Sequence, residues 1–437
     1  MTPVRSRRGV LGSRRFAAYW AGQTASSAGN ALSTVALAFA VLSVSSSAAS
    51  LGLVLLASRL PVIAFSLFGG VLGDRHSRRT LMAGADLARC GLQAVTAGML
   101  ISGHATVWDL AALQAGAGVA SAVFTPAANG LVAELAPAGK VREANSVLAM
   151  SKSVAAIAAL GLAGAIVAAA GPGAAFAADA ASFAISTVSL AAIRSSALAL
   201  PAPPGRGLLS DIRHGWAAVT ERRWLCNYAA HVALLNAIAI SPLFVLGPLV
   251  ADRHLGGAPA WAAIAIGYAL GSLLAAGLTL RWSPTRPIAA AIASSLALAP
   301  LLALLAGPAP LWLLVPAALA AGAQGTVYNT FASTAQQANI PSYLLSRTNS
   351  MVTLGALIAA PAGMALAGVA ADTFGIAPVL YLAAAWVVAS GAAALAFPTT
   401  RSQLALKLPD GQTTGPRVVV AKVDPPVHKG DQAGCAR

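Results

Sequence analysis

Charge is what this sequence has least of. Charged side chains make up 9% of its 437 residues, against about a quarter in soluble domains. So little charge cannot cover a soluble surface, and with 57% hydrophobic residues the core it builds must face lipid. Acid is scarcer still, 13 Asp and Glu against 28 Lys and Arg, with only 6 His. These are scattered, with no spacing for metal ligands or for a nucleophile and its base. A Gly-x4-Gly-Lys-Ser/Thr phosphate loop is missing, so ATP does not drive the protein from within its own chain. The absences argue against an enzyme and against any metal or cofactor. Cys90, Cys226 and Cys435 lie far apart and form no disulfide framework.

What is present is a succession of apolar runs, each long enough to cross roughly 30 Å of hydrocarbon. They fall near 16–43, 50–73, 80–102, 107–133, 144–170, 173–193, 224–250, 259–280, 288–306, 311–338, 348–371 and 376–397, twelve in all. The first follows Arg5, Arg7, Arg8, Arg14 and Arg15 and is too long for a cleaved secretory signal, so it reads as a retained helix. With the N-terminus placed inside, 24 of the 28 basic residues fall on inner segments and only Arg253 on an outer loop. The positive-inside rule then puts both termini in the cytoplasm of a multi-pass protein of the cytoplasmic membrane. The net charge of +15 anchors the inner face to anionic headgroups rather than to nucleic acid.

Residues 69–82, GGVLGDRHSRRTLM, join the second and third runs. They resemble the loop signature of the major facilitator superfamily, Gly-x-Leu-x-Asp-Arg-x-Gly-Arg-Arg. Gly70, Leu72, Asp74, Arg75, Arg78 and Arg79 match, and Ser77 stands where the family has Gly. The resemblance implies an all-α integral membrane protein of twelve helices in two six-helix, pseudo-symmetric halves, working as a secondary transporter. It also implies a conformational latch of Gly70, Asp74, Arg75, Arg78 and Arg79. Asp74 would sit at the positively polarised start of helix 11, near Arg347–Ser350, paired with Arg78 or Arg79. Further text is similar to the drug and siderophore exporter branch (macrolide-efflux-like, enterobactin-exporter-like): Phe124-Thr-Pro126-Ala-Ala-Asn129 with Glu134, Ala144-Asn145-Ser146, and Ala178-Asp179-Ala180-Ala181-Ser182-Phe183. Many proton-driven members carry Gly-Pro-x-x-Gly-Gly in helix 5; here Ala159–Gly164 keeps small residues but no Pro.

The chain divides into a basic N-terminus (1–15), a first half (16–193), a linker (194–223), a second half (224–398) and a tail (399–437). Leu208, Leu209, Ile212, Trp216 and Val219 space an amphipathic helix in the linker, and the polar tail is expected to be disordered. The halves repeat at an offset of 204: Pro137 maps to Pro341, Asn145-Ser146 to Asn349-Ser350, Gly164 to Gly368 and Gly171 to Gly375. Parallel repeats place the substrate at the interface between halves.

In the first span Gln23, Ser26, Ser27, Asn30, Ser33 and Thr34 form one polar stripe, either lining a cavity or packing helices. From the second half, His231, Asn236, Gln324 and Tyr328 are the matching cavity candidates. Arg59, Asp86, Arg89 and Asp179 are ionisable at membrane depth, which marks them for ion coupling; a local Asp86–Arg89 pair and a hydrated Asp179 bonded to Ser182 are the structural alternatives. The expected activity is proton-coupled export of amphiphilic small molecules by a monomer, with the bilayer, substrate and protons as its partners. Uptake of a nutrient or flipping of a lysolipid by the same fold is the alternative, and a non-transporting receptor or scaffold the remote one.

Overall fold

In hydrocarbon each backbone amide must be satisfied within its own segment, and the described residues accordingly form helices and no strand. The computed structural model describes residues 9–75, 77–137, 139–193, 220–340 and 342–396, without side chains at 66–75, 223, 342, 343, 346, 347, 350 and 396. The expected linker helix and the 399–437 tail lie outside the described residues.

Four long helices open the chain: α1 (Arg14–Val44), α2 (Ala48–Arg75), α3 (Arg78–Ile101) and α4 (Val107–Leu135). Helix α5 (Val141–Ala192) is 52 residues long and turns back at Gly171, φ 78°, where Pro172 starts a second arm without a loop. The seventh span consists of α6 (Arg223–Leu235), a π turn (Asn236–Ile240) and α7 (Ser241–His254). After α8 (Ala258–Thr279), the ninth span breaks into α9 (Pro287–Ser295) and α10 (Leu298–Ala306). Helices α11 (Leu311–Asn339), α12 (Ser342–Phe374) and α13 (Ile376–Ala396) complete it.

Among the described residues ten helices are long and apolar enough to cross a membrane. Helix α3 falls short because Arg78, Arg79, Asp86 and Arg89 lower its hydropathy. Counting it, and counting the two arms of α5 separately, the chain is laid out for the twelve crossings read from the sequence. Successive helices alternate direction. The described parts of the basic segments therefore gather at one end, the basic end. The turns at 45–47, 102–106, 255–257, 307–310 and 375 form the far end.

Lipid supplies no hydrophobic drive for helices to associate, so close contact depends on small residues. The two halves meet where α5 crosses α8 and where α2 crosses α12, and a glycine sits at each crossing. A Cβ on Gly164 would lie 2.7 Å from Ala262 Cβ and 3.0 Å from Pro259 Cα; one on Gly368 would lie 2.8 Å from Ala49 Cα. These two glycines are 204 residues apart, as are Gly171 and Gly375, which both take positive φ (78° and 92°). The internal repeat is thus a repeat of backbone geometry. Both glycine contacts lie towards the far end, where the halves are closed on each other.

Candidate functional site

Helix α3 carries Asp86, Arg89, Gln93 and Thr96 on one face, three and four residues apart, and all four are buried. Arg89 forms an ion pair with Asp86 Oδ1, and Ser186 Oγ, on the second arm of α5, donates to Asp86 Oδ2 at 2.6 Å. The Arg89 guanidinium lies between the rings of Phe124 and Phe183, 4.3 Å from each centroid. Contacts of this kind, once desolvated, contribute about 2 kcal/mol. Asp179 is 0% exposed. It accepts from Gln93 Nε2 at 3.1 Å, Gln114 Nε2 donates to Gln93 Oε1 at 3.1 Å, and Ser182 Oγ donates to the Asp179 carbonyl at 2.7 Å.

A second thread runs to α5. Lys152 Nζ donates to Gln23 Oε1 at 3.1 Å, and Gln23 Nε2 reaches Ser186 Oγ at 3.5 Å. The first half therefore holds two acids and two bases at depth, in two sets: Asp86 with Arg89, Ser186, Gln23 and Lys152, and Asp179 with Gln93 and Gln114. Arg89 Nε is buried without a hydrogen-bond partner, and either member of such a pair left alone would cost several kcal/mol.

Arg59 stands apart. The close approach of α4 at Gly118, whose Cβ would lie 2.7 Å from Ser58 O and 3.4 Å from Pro61 Cβ, turns Ser58 and Pro61 inward. Arg59, next in sequence to Ser58, is left exposed. It has no ion pair among the described residues, so the expected grouping with Asp86 and Arg89 is corrected to exclude it. The polar stripe of α1 also divides. Gln23 and Ser26 are buried within the half, Ser27 is half-buried, and Asn30 and Thr34 are exposed. Asn30 bonds back to the Ser26 carbonyl and Thr34 to that of Asn30, at 2.8 and 2.7 Å.

In the second half four rings stack in series: Tyr228 on Tyr328 (5.7 Å), Tyr328 on His231 (5.9 Å), His231 on Trp386 (6.2 Å). His231 Nδ1 and Tyr328 Oη are 2.9 Å apart. His231 Nε2 and Gln324 Oε1 are buried without a partner in the structure. Asn236, at the π turn, donates to the Val232 carbonyl at 2.9 Å.

At the basic end Arg78 pairs with Glu134 at 2.7 Å. Arg79 donates to the Leu190 and Ala191 carbonyls at 2.7 and 2.8 Å, a cation on a helix C-terminus. Both arginines are thus tied within the first half. The side chains of Asp74 and Arg75, and Gly70 with them, fall in the 66–75 stretch outside the described side chains. The far end carries a reciprocal contact that sequence reasoning missed. Asp372, at the end of α12, accepts from Ala48 N (2.9 Å), Ala49 N (3.0 Å) and Ser47 Oγ (2.5 Å) at the start of α2. Arg253 donates to the Ser46 carbonyl at 3.1 Å.

Lys152, Gln93, Gln114 and Ser186 were also not singled out. For Lys152 the signal was available, as the one charge within the fifth span. The amides and the serine gave none, because helix-to-helix register is not written in hydropathy.

Comparison with known proteins agrees with this architecture. Macrolide efflux protein A of Streptococcus pyogenes is 23% identical over 262 residues, 60% of this chain and 64% of that protein. An uncharacterized MFS-type transporter of Bacillus subtilis (strain 168), YfiS, is 33% identical over 128 residues, 29% of this chain and 30% of that one. The matched stretch therefore covers less than two thirds of either relative. A crystal structure of a bacterial homologue of the iron transporter ferroportin, in its inward-facing state, superposes with a TM-score of 0.70 at 16% identity, over 91% of this chain and 99% of that one. The family described as transmembrane secretion effector matches residues 9–424. The chain belongs to that family, within the major facilitator superfamily of membrane transporters.

Proposed function

We propose that the protein is a proton-coupled exporter of amphiphilic small molecules, working by alternating access between its two halves. The observation that carries the reading is the Asp86–Arg89–Lys152–Asp179 set, ionisable groups kept at membrane depth at a cost of about 2.5–3.5 kcal/mol each. Such groups persist where ions or substrates pass. Asp179 is the proposed proton carrier: its contacts are amide and hydroxyl groups, whereas Asp86 is held by an arginine. The export direction is taken from the efflux-like relative. The exposed Asn30 and Thr34 of α1, with Ser27, face the substrate path on this reading, opposite the ring stack of the second half.

The close packing at the far end supports an arrangement open towards the basic end, which the basic charge assigns to the cytoplasm. Cysteines at Ser47 and Gly256 are then expected to react with an impermeant thiol reagent from outside the cell, and one at Gly205 not to. At the basic end, Gly70–Arg79 is the proposed latch of the opposite state, with Asp74 rather than its arginines reaching the other half. Asp74→Asn is expected to insert normally and transport slowly; normal transport would remove the latch.

The test of coupling is transport into liposomes with an imposed pH gradient, using hydrophobic cations, siderophores and sugars as the panel. Asp179→Asn is expected to abolish pH-driven movement while sparing substrate exchange. Equal loss of both modes would make Asp179 structural and place the driving ion elsewhere.

A further inference from the structure

At the basic end of the second half a groove of about 420 Å³ opens between the α8–α9 turn, α9 and the end of α13. Its floor is Ala290 and Ala293, its wall Leu395 and Pro284, and its rim Trp282 and Arg286. Ala290 is half-buried and Ala293 exposed, and their methyl groups keep the floor open.

The chemistry of the rim says what suits the groove. Arg281 and Arg286 are both exposed and neither has an ion-pair partner among the described residues. No acidic residue lines the groove. Trp282 is 45% exposed and held edge-on against Phe331, centroids 5.1 Å apart. Leu280, beside it, is 87% exposed, as a residue facing acyl chains is. Indole and guanidinium side by side at a helix end is the arrangement that marks the level of lipid headgroups. Basic pockets between transmembrane helices on the basic side hold anionic head groups.

We propose that this groove binds one anionic phospholipid, with its acyl chain over Ala290 and Ala293 and its phosphate at Arg286, the exposed Arg281 adding a second charge in the same α8–α9 turn. A zwitterionic lipid offers the same chain but no net charge to the two arginines, so selectivity follows head-group charge.

Trp282 reports on the site directly. A variant keeping Trp282 as its sole tryptophan, the other seven replaced by Phe, is reconstituted with chain-brominated phosphatidylglycerol or phosphatidylcholine at equal mole fraction. Phosphatidylglycerol is expected to quench several-fold more strongly at low mole fraction, and Arg281→Gln/Arg286→Gln to make the two lipids equal. Ala293→Leu, which fills the floor, is expected to reduce quenching by both. Equal quenching by the two lipids in the parent variant overturns the proposal. So does a phosphatidylglycerol preference that emerges only after residues 399–437 are deleted, since the tail would then be the occupant. Inorganic phosphate should leave the quenching unchanged, and competition by it would show a free-anion site instead. Should the single-tryptophan variant fail to fold, mass spectrometry of the native protein from detergent gives the same decision. Retained phosphatidylglycerol that is lost in Arg281→Gln/Arg286→Gln supports the site, and no retained lipid or an unchanged ratio overturns it.

Discussion

The two halves repeat their glycine contacts and differ in what they bury. At the sequence offset of 204, Lys152 and Asp179 correspond to Ala356 and Ala383, and the buried face of the ninth span is Ile288, Ala291, Ile292 and Ser295, where α3 buries Asp86, Arg89 and Gln93. Phe124, which covers Arg89, corresponds instead to Tyr328, in the middle of the ring stack. On the proposed alternating access, rocking two halves against each other requires matching frames, and the glycine contacts provide them. On the proposed coupling, the ion needs polar groups in only one half, which leaves the other free to present aromatic surface.

The largest expected effect comes from stranding a charge in the polar half. Arg89→Leu leaves Asp86 buried and unpaired, at about 3–5 kcal/mol, so the protein should melt early in detergent or fail to be extracted. Arg89→Leu with Asp86→Leu should recover most of that stability without recovering pH-driven transport.

Gly164→Leu and Gly368→Leu come next. Overpacking at each crossing should cost the closed far end about 1–3 kcal/mol and raise the labelling rate of a cysteine at Ser47. Similar increases for both would sharpen the symmetry of the frame; an effect at one site alone would break it. Asp372→Ala removes a helix cap, about 0.5–2 kcal/mol, and should raise the same labelling by less. Its counterpart Ala168 has nothing to lose, so this closure is expected to be lopsided. The smallest effect should be His231→Phe, which keeps a ring in the stack and gives up one hydrogen bond, about 0.5–1.5 kcal/mol. Its melting temperature should stay near that of the parent, and a collapse as severe as that of Arg89→Leu would mean the second half hides a polar dependence of its own.

Much of this frame was legible. The lengths of the apolar runs gave the crossings, the Gly70–Arg79 loop text gave the family, and the three-residue spacing of Asp86 and Arg89 gave their pairing. The break at Gly171-Pro172 fell between two expected spans, as did the loops. What was not legible depends on which helix faces which. Lys152 meets Gln23 across 129 residues, and Gln114 meets Gln93 between antiparallel helices; no periodicity within one helix encodes either. Arg59 was misplaced for the same reason, because its direction is set by Gly118 on another helix. The α1 stripe reads as one band at helical spacing, but a neighbour covering part of it splits the band. Asp372 was not singled out, since two of its three partners are backbone amides that carry no side-chain signature.

The turn at Gly171 has a mechanical consequence. Lys152 and Asp179 belong to different membrane crossings, yet no slack separates those crossings: Pro172 starts the second arm immediately after the glycine. The two arms behave as the legs of a stiff staple, pinned at the crown and wrapped around α1. A push on the leg bearing Lys152, from a passing molecule or from α8 across the contact at Gly164, has no loose strap in which to be absorbed. It arrives at the other leg as a shift of Asp179 against Gln93. Splicing a few flexible residues between Gly171 and Pro172 would let the legs move independently; on the proposed proton coupling, cargo would then still cross but no longer in step with protons.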